Sequence, residues 1–206
     1  MTSSRHPCLV LQSQKRLDQA RETACQKTGY DCKAMHQALI NRYGELTGNT
    51  VYKWQLDVAE ALLLKLNCVA IAGTGSGKTV SFTLSLLLSE NCEKIAIIIS
   101  PLKTLQEEQA ECFEKLEVRA VAVNGDTWSW ELYKDLSGYV YQGIFTGLEM
   151  IMEFEEFKSW QTRPTPVALH LPSSFFVCWT LEVVTNTEGY PKVQCCEGEL
   201  TRYTEP

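Results

Sequence analysis

The residues best suited to chemistry form one short segment in the first half of the chain. Eight residues rich in glycine follow an apolar run at 69–71: Ala72, Gly73, Thr74, Gly75, Ser76, Gly77, Lys78 and Thr79. Such glycines let successive backbone N–H groups turn toward phosphate oxygens. Lys78 would reach the β- and γ-phosphates, and the Thr79 hydroxyl would bind Mg²⁺. The segment predicts a nucleoside triphosphate site.

The elements on either side of the segment decide between this site and a simpler alternative. An ordinary glycine-rich turn fits the same residues, since Ala72 stands where the pattern has its first glycine. However, residues 69–71 suit a buried parallel strand, and a mostly apolar helix follows through residue 88. The start of that helix adds the positive end of its dipole to an anion site. The flanking elements therefore favour the phosphate loop.

Composition limits the class of protein. The 206 residues suffice for one domain with extensions, and 45% apolar with 21% charged residues is ordinary for a globular protein. The net charge is −6 and the sequence shows no strongly basic stripe, so any contact with nucleic acid is expected to be local rather than driven by a global field. The sequence favours an intracellular protein. Its nine cysteines lack metal-ligand spacing, and it shows neither a signal peptide nor an apolar run of membrane length.

Strands and helices alternate after the loop. Strands are predicted at 94–100, 118–123 and 139–145, and helices at 32–46, 53–66, 104–116 and 148–160, with Asp31 as an N-cap and a turn at 124–126. This alternation is typical of a three-layer α/β sheet, whose ligands bind at the carboxyl ends of the strands.

The two ends of the chain differ from this middle part. Residues 1–30 are polar and predict a mobile arm with a short helix at 15–24, which leaves 31–160 as the domain. Five of the seven prolines lie in 161–206, where helical periodicity disappears. We expect an irregular tail there, with one strand at 175–181.

Two further positions could recognise a nucleotide or a nucleic acid. Gln55 begins the helix before the loop, and its amide can donate to and accept from an adenine edge. Thr146 follows a later strand, where it could cap a helix with Glu149 or contact a phosphate. Taken alone, Gln55 is more typical of an exposed helix residue.

A third candidate segment follows the second strand. It consists of Ser100, Pro101, Leu102 and Lys103. A hydroxyl and the free N–H groups of a starting helix suit a nucleic-acid phosphate. A strand-to-helix turn with proline near the first helical position is the alternative.

In this order, the segments resemble the first RecA-like domain of DEAD/DEAH-type helicases, and RecQ-like DNA helicases most closely, over residues 43–160. Gln55 resembles the adenine-reading glutamine, and residues 72–79 resemble motif I, the ATP phosphate site. Residues 100–109 are similar to motif Ia, SPLxxLxxEQ. Residues 146–150 are similar to motif Ib with Gly-Leu in place of Ser-Pro, and 120–128 are similar to RecQ-like sequences of fungal type.

The resemblance implies an incomplete α/β, RecA-like P-loop NTPase domain with a mainly parallel sheet. It also implies ATP and Mg²⁺ as cofactors, single-stranded DNA or a duplex junction as a partner in preference to RNA, 3′–5′ unwinding and a nuclear location. It leaves the oligomeric state open. A small-molecule kinase would use the same loop, but it has no need of the 100–109 segment.

The chain departs from the family pattern in the acidic strand end that holds Mg²⁺ and polarises the attacking water. No Asp-Glu dipeptide occurs, and Glu182, after the apolar run 175–181, is the nearest candidate. A second RecA-like domain is also missing. We therefore expect ATP hydrolysis to be impaired. A catalytically inactive remnant that binds nucleotide and nucleic acid is the alternative. Residues 161–206 are interpreted as a foreign tail.

Overall fold

The computed structural model describes residues 6–71, 75–88, 95–162, 175–178 and 192–196. The chain divides into two units, the first made of Met1–Ser85 with Val183–Pro206 and the second of Leu86–Glu182. In chain order the elements are α1 (His6–Thr28), α2 (Cys32–Thr47), α3 (Lys53–Leu63), β1 (Asn67–Ile71), α4 (Lys78–Leu84), β2 (Ala96–Ile99), α5 (Lys103–Glu114), β3 (Ala120–Val123), α6 (Trp130–Ser137), β4 (Gly143–Thr146), α7 (Leu148–Met152), α8 (Glu155–Thr162), β5 (Phe175–Cys178) and β6 (Lys192–Cys196).

The second unit is built on a parallel sheet with the strand order β3-β4-β2-β5. Successive strand residues face opposite sides of the sheet. Phe145 packs its ring against Phe113 of α5 at 4.9 Å, whereas its neighbour Ile144 joins a core cluster with Leu132 of α6 and Phe157 of α8. Helices therefore cover both faces, and the predicted three-layer α/β architecture of a partial RecA-like domain is confirmed.

Helices dominate the first unit. The Asp31 carboxylate accepts from the N–H groups of Lys33 (2.8 Å) and Ala34 (3.3 Å), so the predicted N-cap of α2 is confirmed. Gly48 ends this helix with φ 70°, in the left-handed region where glycine is favoured. Leu39 of α2 and Val58 of α3 are almost completely buried.

The N-terminal helix is longer than predicted. We expected a short helix at 15–24 within a mobile arm, but α1 extends over His6–Thr28. Leu17 is buried and Arg21 binds Glu60 of α3, so α1 packs against the rest of its unit. These partners are distant in sequence, which explains why local periodicity understated the helix.

The partner of β1 also differs from the prediction. We expected a parallel strand, but β1 pairs antiparallel with β6 in a two-stranded sheet. Residues 192–196 lie between Pro191 and Gly198 and contain neither residue type, so their backbone can pair along a strand edge. The tail was expected to be irregular there. Of the strand predicted at 175–181, residues 175–178 form β5, and residues 179–181 lie outside the described residues.

Two further helices differ from expectation. α6 was not predicted, and the single helix expected at 148–160 is broken at Glu153 into α7 and α8. The break allows Phe154 and Phe157 to pack against the Trp128 ring at 5.0 and 6.2 Å. Within the described part of the chain, no helix is long and apolar enough to cross a membrane.

Candidate functional site

The glycine-rich loop joins β1 to α4, as the sequence predicts. Ala72, Gly73 and Thr74 lie outside the described residues, so the structure places Gly75, Ser76, Gly77, Lys78 and Thr79. Gly75 and Gly77 have φ values of 78° and 76°, in the left-handed region that other residues rarely adopt. The described half of the loop therefore has a backbone that depends on its glycines.

Lys78 and Thr79 form the first turn of α4, directly after the left-handed Gly77. Their carbonyl groups accept hydrogen bonds from the hydroxyls of Ser81 (2.5 Å) and Thr83 (3.0 Å). An ammonium group, a hydroxyl and a glycine backbone at one loop are the donor set that phosphate oxygens and Mg²⁺ require. This part of the chain therefore fits a nucleoside triphosphate, although the roles of the individual residues stay predictions.

Gln55 contacts the phosphate loop through its side chain. Its Nε2 donates to the carbonyl of Gly77 at 3.0 Å and to that of Ser76 at 3.4 Å, while its Oε1 accepts from the N–H of Tyr52 at 2.9 Å. The residue is only 3% exposed. The amide thus ties the start of α3 to the loop, and its predicted contact with adenine stays a prediction.

A buried ion cluster is centred on Glu60 of α3, five residues after Gln55. Glu60 is fully buried and accepts from Arg21 Nε at 2.8 Å and Nη2 at 2.5 Å, from Tyr30 Oη at 2.9 Å, and is 3.1 Å from His36 Nε2. Burial alone raises the pKa of Glu60, but the hydrogen bonds from Arg21, His36 and Tyr30 outweigh it and lower the pKa to about 2. Glu60 is therefore a buried carboxylate that stays ionised.

The same cluster has the donor atoms of a cation site, because oxygen and nitrogen atoms of His36, Asp57 and Glu60 lie within 4.8 Å of one another. Arg21, however, contacts both carboxylate oxygens of Glu60. Its guanidinium already neutralises the charge that a metal ion would need. The geometry therefore supports a structural role for the cluster.

In the second unit, the carboxyl ends of β2, β3 and β4 are joined by a buried polar network. The Ser100 N–H donates to the Thr146 carbonyl at 2.8 Å, and the Thr146 hydroxyl donates to the Val123 carbonyl at 2.8 Å. Gln106 Nε2 donates to the Ser100 carbonyl at 2.7 Å, and its Oε1 accepts from Asn124 Nδ2 at 3.3 Å. Each of these four polar residues is almost completely buried.

The predicted nucleic-acid residues divide into buried and exposed groups. Ser100 and Thr146 are fully buried, whereas Pro101, Leu102 and Lys103 are exposed. Thr146 does not cap α7, because its hydroxyl is bonded to β3 and Gly147 holds the N-cap position. The structure therefore places two of the predicted side chains beneath the surface that the other three form.

Lys103 shares its exposed position with an acidic neighbour. Its Nζ lies 2.6 Å from Asp126 Oδ2 in the loop after β3, and this contact raises the pKa of Lys103. Gln106 occupies an unspecified position of the motif at 100–109, and Asp126 was predicted only as part of a turn, so neither side chain was expected to contact this region. Gln106 could have been found from spacing, because residues 106, 109, 110 and 113 fall on one face of α5 and are all buried.

Comparison with known proteins agrees with this geometry. A family model described as DEAD/DEAH box helicase matches residues 52–159, which include the loop, Gln55 and the strand ends of the second unit. The chain is also 30% identical over 70 residues to a protein of Synechocystis sp. named ATP-dependent DNA helicase RecQ. That match covers 34% of this chain and only 14% of the relative. Helicase-like nucleotide binding is the activity class that these similarities support.

Proposed function

Because this chain belongs to the DEAD/DEAH box helicase family, we propose that it binds ATP with Mg²⁺ at residues 72–79 and single-stranded DNA at the carboxyl ends of β2 and β4. The observation that carries this proposal is the strand–loop–helix at 67–84, whose glycine backbone is tied to Gln55. DNA is preferred to RNA because the similar protein is named an ATP-dependent DNA helicase. A 3′–5′ polarity of unwinding is proposed only from the RecQ-like resemblance of the sequence motifs.

Each proposed ATP contact follows from the chemistry of the residue. Lys78 offers an ammonium group to the β- and γ-phosphates, and Thr79 offers a hydroxyl to Mg²⁺, which neutralises phosphate charge when bound. The backbone N–H groups of Gly75 and Gly77 are proposed to contact the phosphates, together with that of Gly73, which lies outside the described residues. Gln55 is proposed to contact the adenine edge as well as the loop.

We propose that hydrolysis is severely impaired in this chain. Phosphoryl transfer depends on positioning and charge stabilisation, which in this family includes an acidic pair at a strand end. No Asp-Glu dipeptide occurs in the 206 residues. β5 lies beside β2 and ends at Cys178 opposite Ile99, and Glu182 lies outside the described residues. A binding module without turnover is therefore the second candidate function.

Replacing Lys78 with alanine is expected to weaken ATP binding about 10- to 100-fold, because a charge-assisted hydrogen bond to phosphate is lost. A fluorescent ATP analogue measures the affinity, and phosphate release with and without single-stranded DNA measures turnover. Lys33→Ala, which removes an exposed lysine from α2, is the matched control. Turnover that depends on Lys78 supports the enzyme, and binding without turnover supports the module. Absence of ATP binding to the unchanged chain overturns both.

Replacing Asp126 with asparagine is expected to strengthen binding of single-stranded DNA about twofold to fivefold at low salt. Asp126 holds the Lys103 ammonium, which a phosphate would otherwise contact. Fluorescence anisotropy measures the change in DNA affinity at salt concentrations between about 50 and 200 mM. Phosphate contacts weaken strongly over this range. Glu114→Gln removes an equal charge from the end of α5 opposite Lys103 and serves as the control. Equal effects of the two variants would indicate general charge rather than release of Lys103.

A further inference from the structure

We propose that Trp130 and the loop at residues 124–129 form an additional part of the nucleic-acid interface, in which the Trp130 ring stacks on an unpaired base. This inference rests on the proposed function, because it extends the same edge of the sheet. The family similarity assigns no role to Trp130. Its position, its exposure and its neighbours together suggest one.

Three exposed apolar residues follow the carboxyl ends of three neighbouring strands. Leu102 (52% exposed) comes after β2, Trp130 (63%) after β3 and Leu148 (59%) after β4. Carboxyl ends of parallel strands meet at one edge of a sheet, which is where ligands of such sheets bind. Trp130 therefore lies on the edge that already carries Lys103.

The loop before Trp130 is attached to α5 by hydrogen bonds and does not merely lie beside it. Asn124 bonds to Gln106 of α5, and Asp126 bonds to Lys103 at the start of the same helix. Within the loop, Asn124 Oδ1 accepts from the N–H groups of Asp126 (3.0 Å) and Thr127 (3.1 Å). Two attachments to α5 and these internal bonds hold the loop against the segment proposed to contact phosphates.

The Trp130 ring is exposed but supported from below. It stacks on the ring of Tyr133 at 5.1 Å with 14° between the planes, and Tyr133 is buried against Trp128 at 6.0 Å. A rigid exposed aromatic ring costs little conformational entropy when a base stacks on it. Ser129 caps the helix through the N–H of Leu132 at 3.1 Å, which fixes the backbone beneath the ring.

Charge distinguishes a nucleic acid from an apolar protein surface as the occupant. Lys134 Nζ lies 5.9 Å from the centre of the Trp130 ring, and Lys103 lies at the start of the helix to which the loop is bonded. The exposed ring offers a surface on which a base can stack, and the lysine over it and the lysine at the start of α5 offer charge to neighbouring phosphates. Asp126, Glu149 and Glu107 lie close enough to interact with Lys103, and Glu131 adjoins Trp130 in the chain. The contact is therefore expected to be confined to this ring and these two lysines.

The test measures binding of a labelled oligothymidine to the whole chain by fluorescence anisotropy. Trp130→Ala is expected to weaken binding about 5- to 100-fold, and Trp130→Phe is expected to restore most of the loss because the ring is kept. Tyr139→Asn is the matched control. It removes an exposed ring that precedes β4, at the opposite edge of the sheet, and asparagine tolerates the left-handed φ of 56° at this position.

An abasic oligonucleotide of the same length separates stacking from a structural effect. Trp130→Ala should leave binding of the abasic strand unchanged, since no base is present to stack. An equal loss on both strands, or no loss on either, overturns the inference while the proposed function stands. If the unchanged chain binds no DNA, the proposed DNA contact fails and the inference with it. An affinity that responds neither to bases nor to salt also overturns the inference, because neither stacking nor phosphate contacts would then contribute.

Discussion

Replacing Arg21 with methionine is expected to lower the free energy of unfolding of the first unit by about 3–5 kcal/mol. The Glu60 carboxylate is fully buried, and Arg21 makes contacts to both of its oxygens. Methionine retains much of the aliphatic packing of arginine but leaves a buried carboxylate without its cation. Urea unfolding followed by far-UV circular dichroism measures the change.

Two further variants test whether the stability lost in Arg21→Met comes from the lost charge or from the lost packing. Glu60→Gln is expected to cost less than Arg21→Met, because it leaves no buried charge and Arg21 is 23% exposed and can be solvated. Lys53→Ala breaks an exposed pair with Asp57 on the same helix as Glu60 and should change stability by less than about 0.5 kcal/mol. A loss below about 1 kcal/mol for Arg21→Met would contradict the role of the cluster.

The pH dependence of stability gives an independent measure of the same cluster. Burial raises the pKa of Glu60, but hydrogen bonds from Arg21, His36 and Tyr30 lower it from 4.5 to about 2. Because the folded pKa lies below the unfolded one, this stabilisation is complete above about pH 4.5 and is lost as the pH falls toward 2. Arg21→Met should therefore reduce the loss of stability on acidification over that interval.

The cluster also shows which parts of the fold a single sequence could reveal. The N-cap at Asp31 and the helix after it were predictable, because the capping contact spans three residues. Arg21 and Glu60 are 39 residues apart, and nothing local links them. The full length of α1 and the pairing of β1 with β6 depend on such distant partners, so periodicity and propensity could not predict them.

The candidate sites likewise contain parts that the local sequence predicts and parts that depend on distant partners. The phosphate loop was predictable because its residues are consecutive and its backbone needs glycine. The buried network joins Gln106 to Asn124, which are 18 residues apart in the sequence. The helix α6, which carries Trp130, was not predicted, because the turn predicted at 124–126 favoured a loop in this region. Burial of Ser100 and Thr146 depends on the packing of three strands, which a linear motif does not encode.

Replacing Gly77 with alanine is expected to weaken ATP binding about 100-fold, whereas Gly75→Ala should weaken it only about tenfold. Both glycines have left-handed backbones, with φ 76° and 78°, so both variants introduce strain. At Gly75 an added Cβ would meet no atom of the described residues within 4 Å. At Gly77 it would lie 2.7 Å from Gln55 Nε2, so the amide would have to give up its hydrogen bonds to the loop. Gly75→Ala is therefore the matched control for strain without a clash, and the fluorescent ATP analogue measures both affinities.

The double variant Gly77→Ala with Gln55→Ala isolates the clash. Without the Gln55 amide, the added methyl group has room, so the penalty of Gly77→Ala should fall to that of Gly75→Ala. An unchanged penalty would show that Gln55 does not constrain the loop. Comparing ATP with GTP then separates the two roles of Gln55: support of the loop alone weakens both nucleotides equally in Gln55→Ala, whereas recognition of adenine weakens ATP more than GTP.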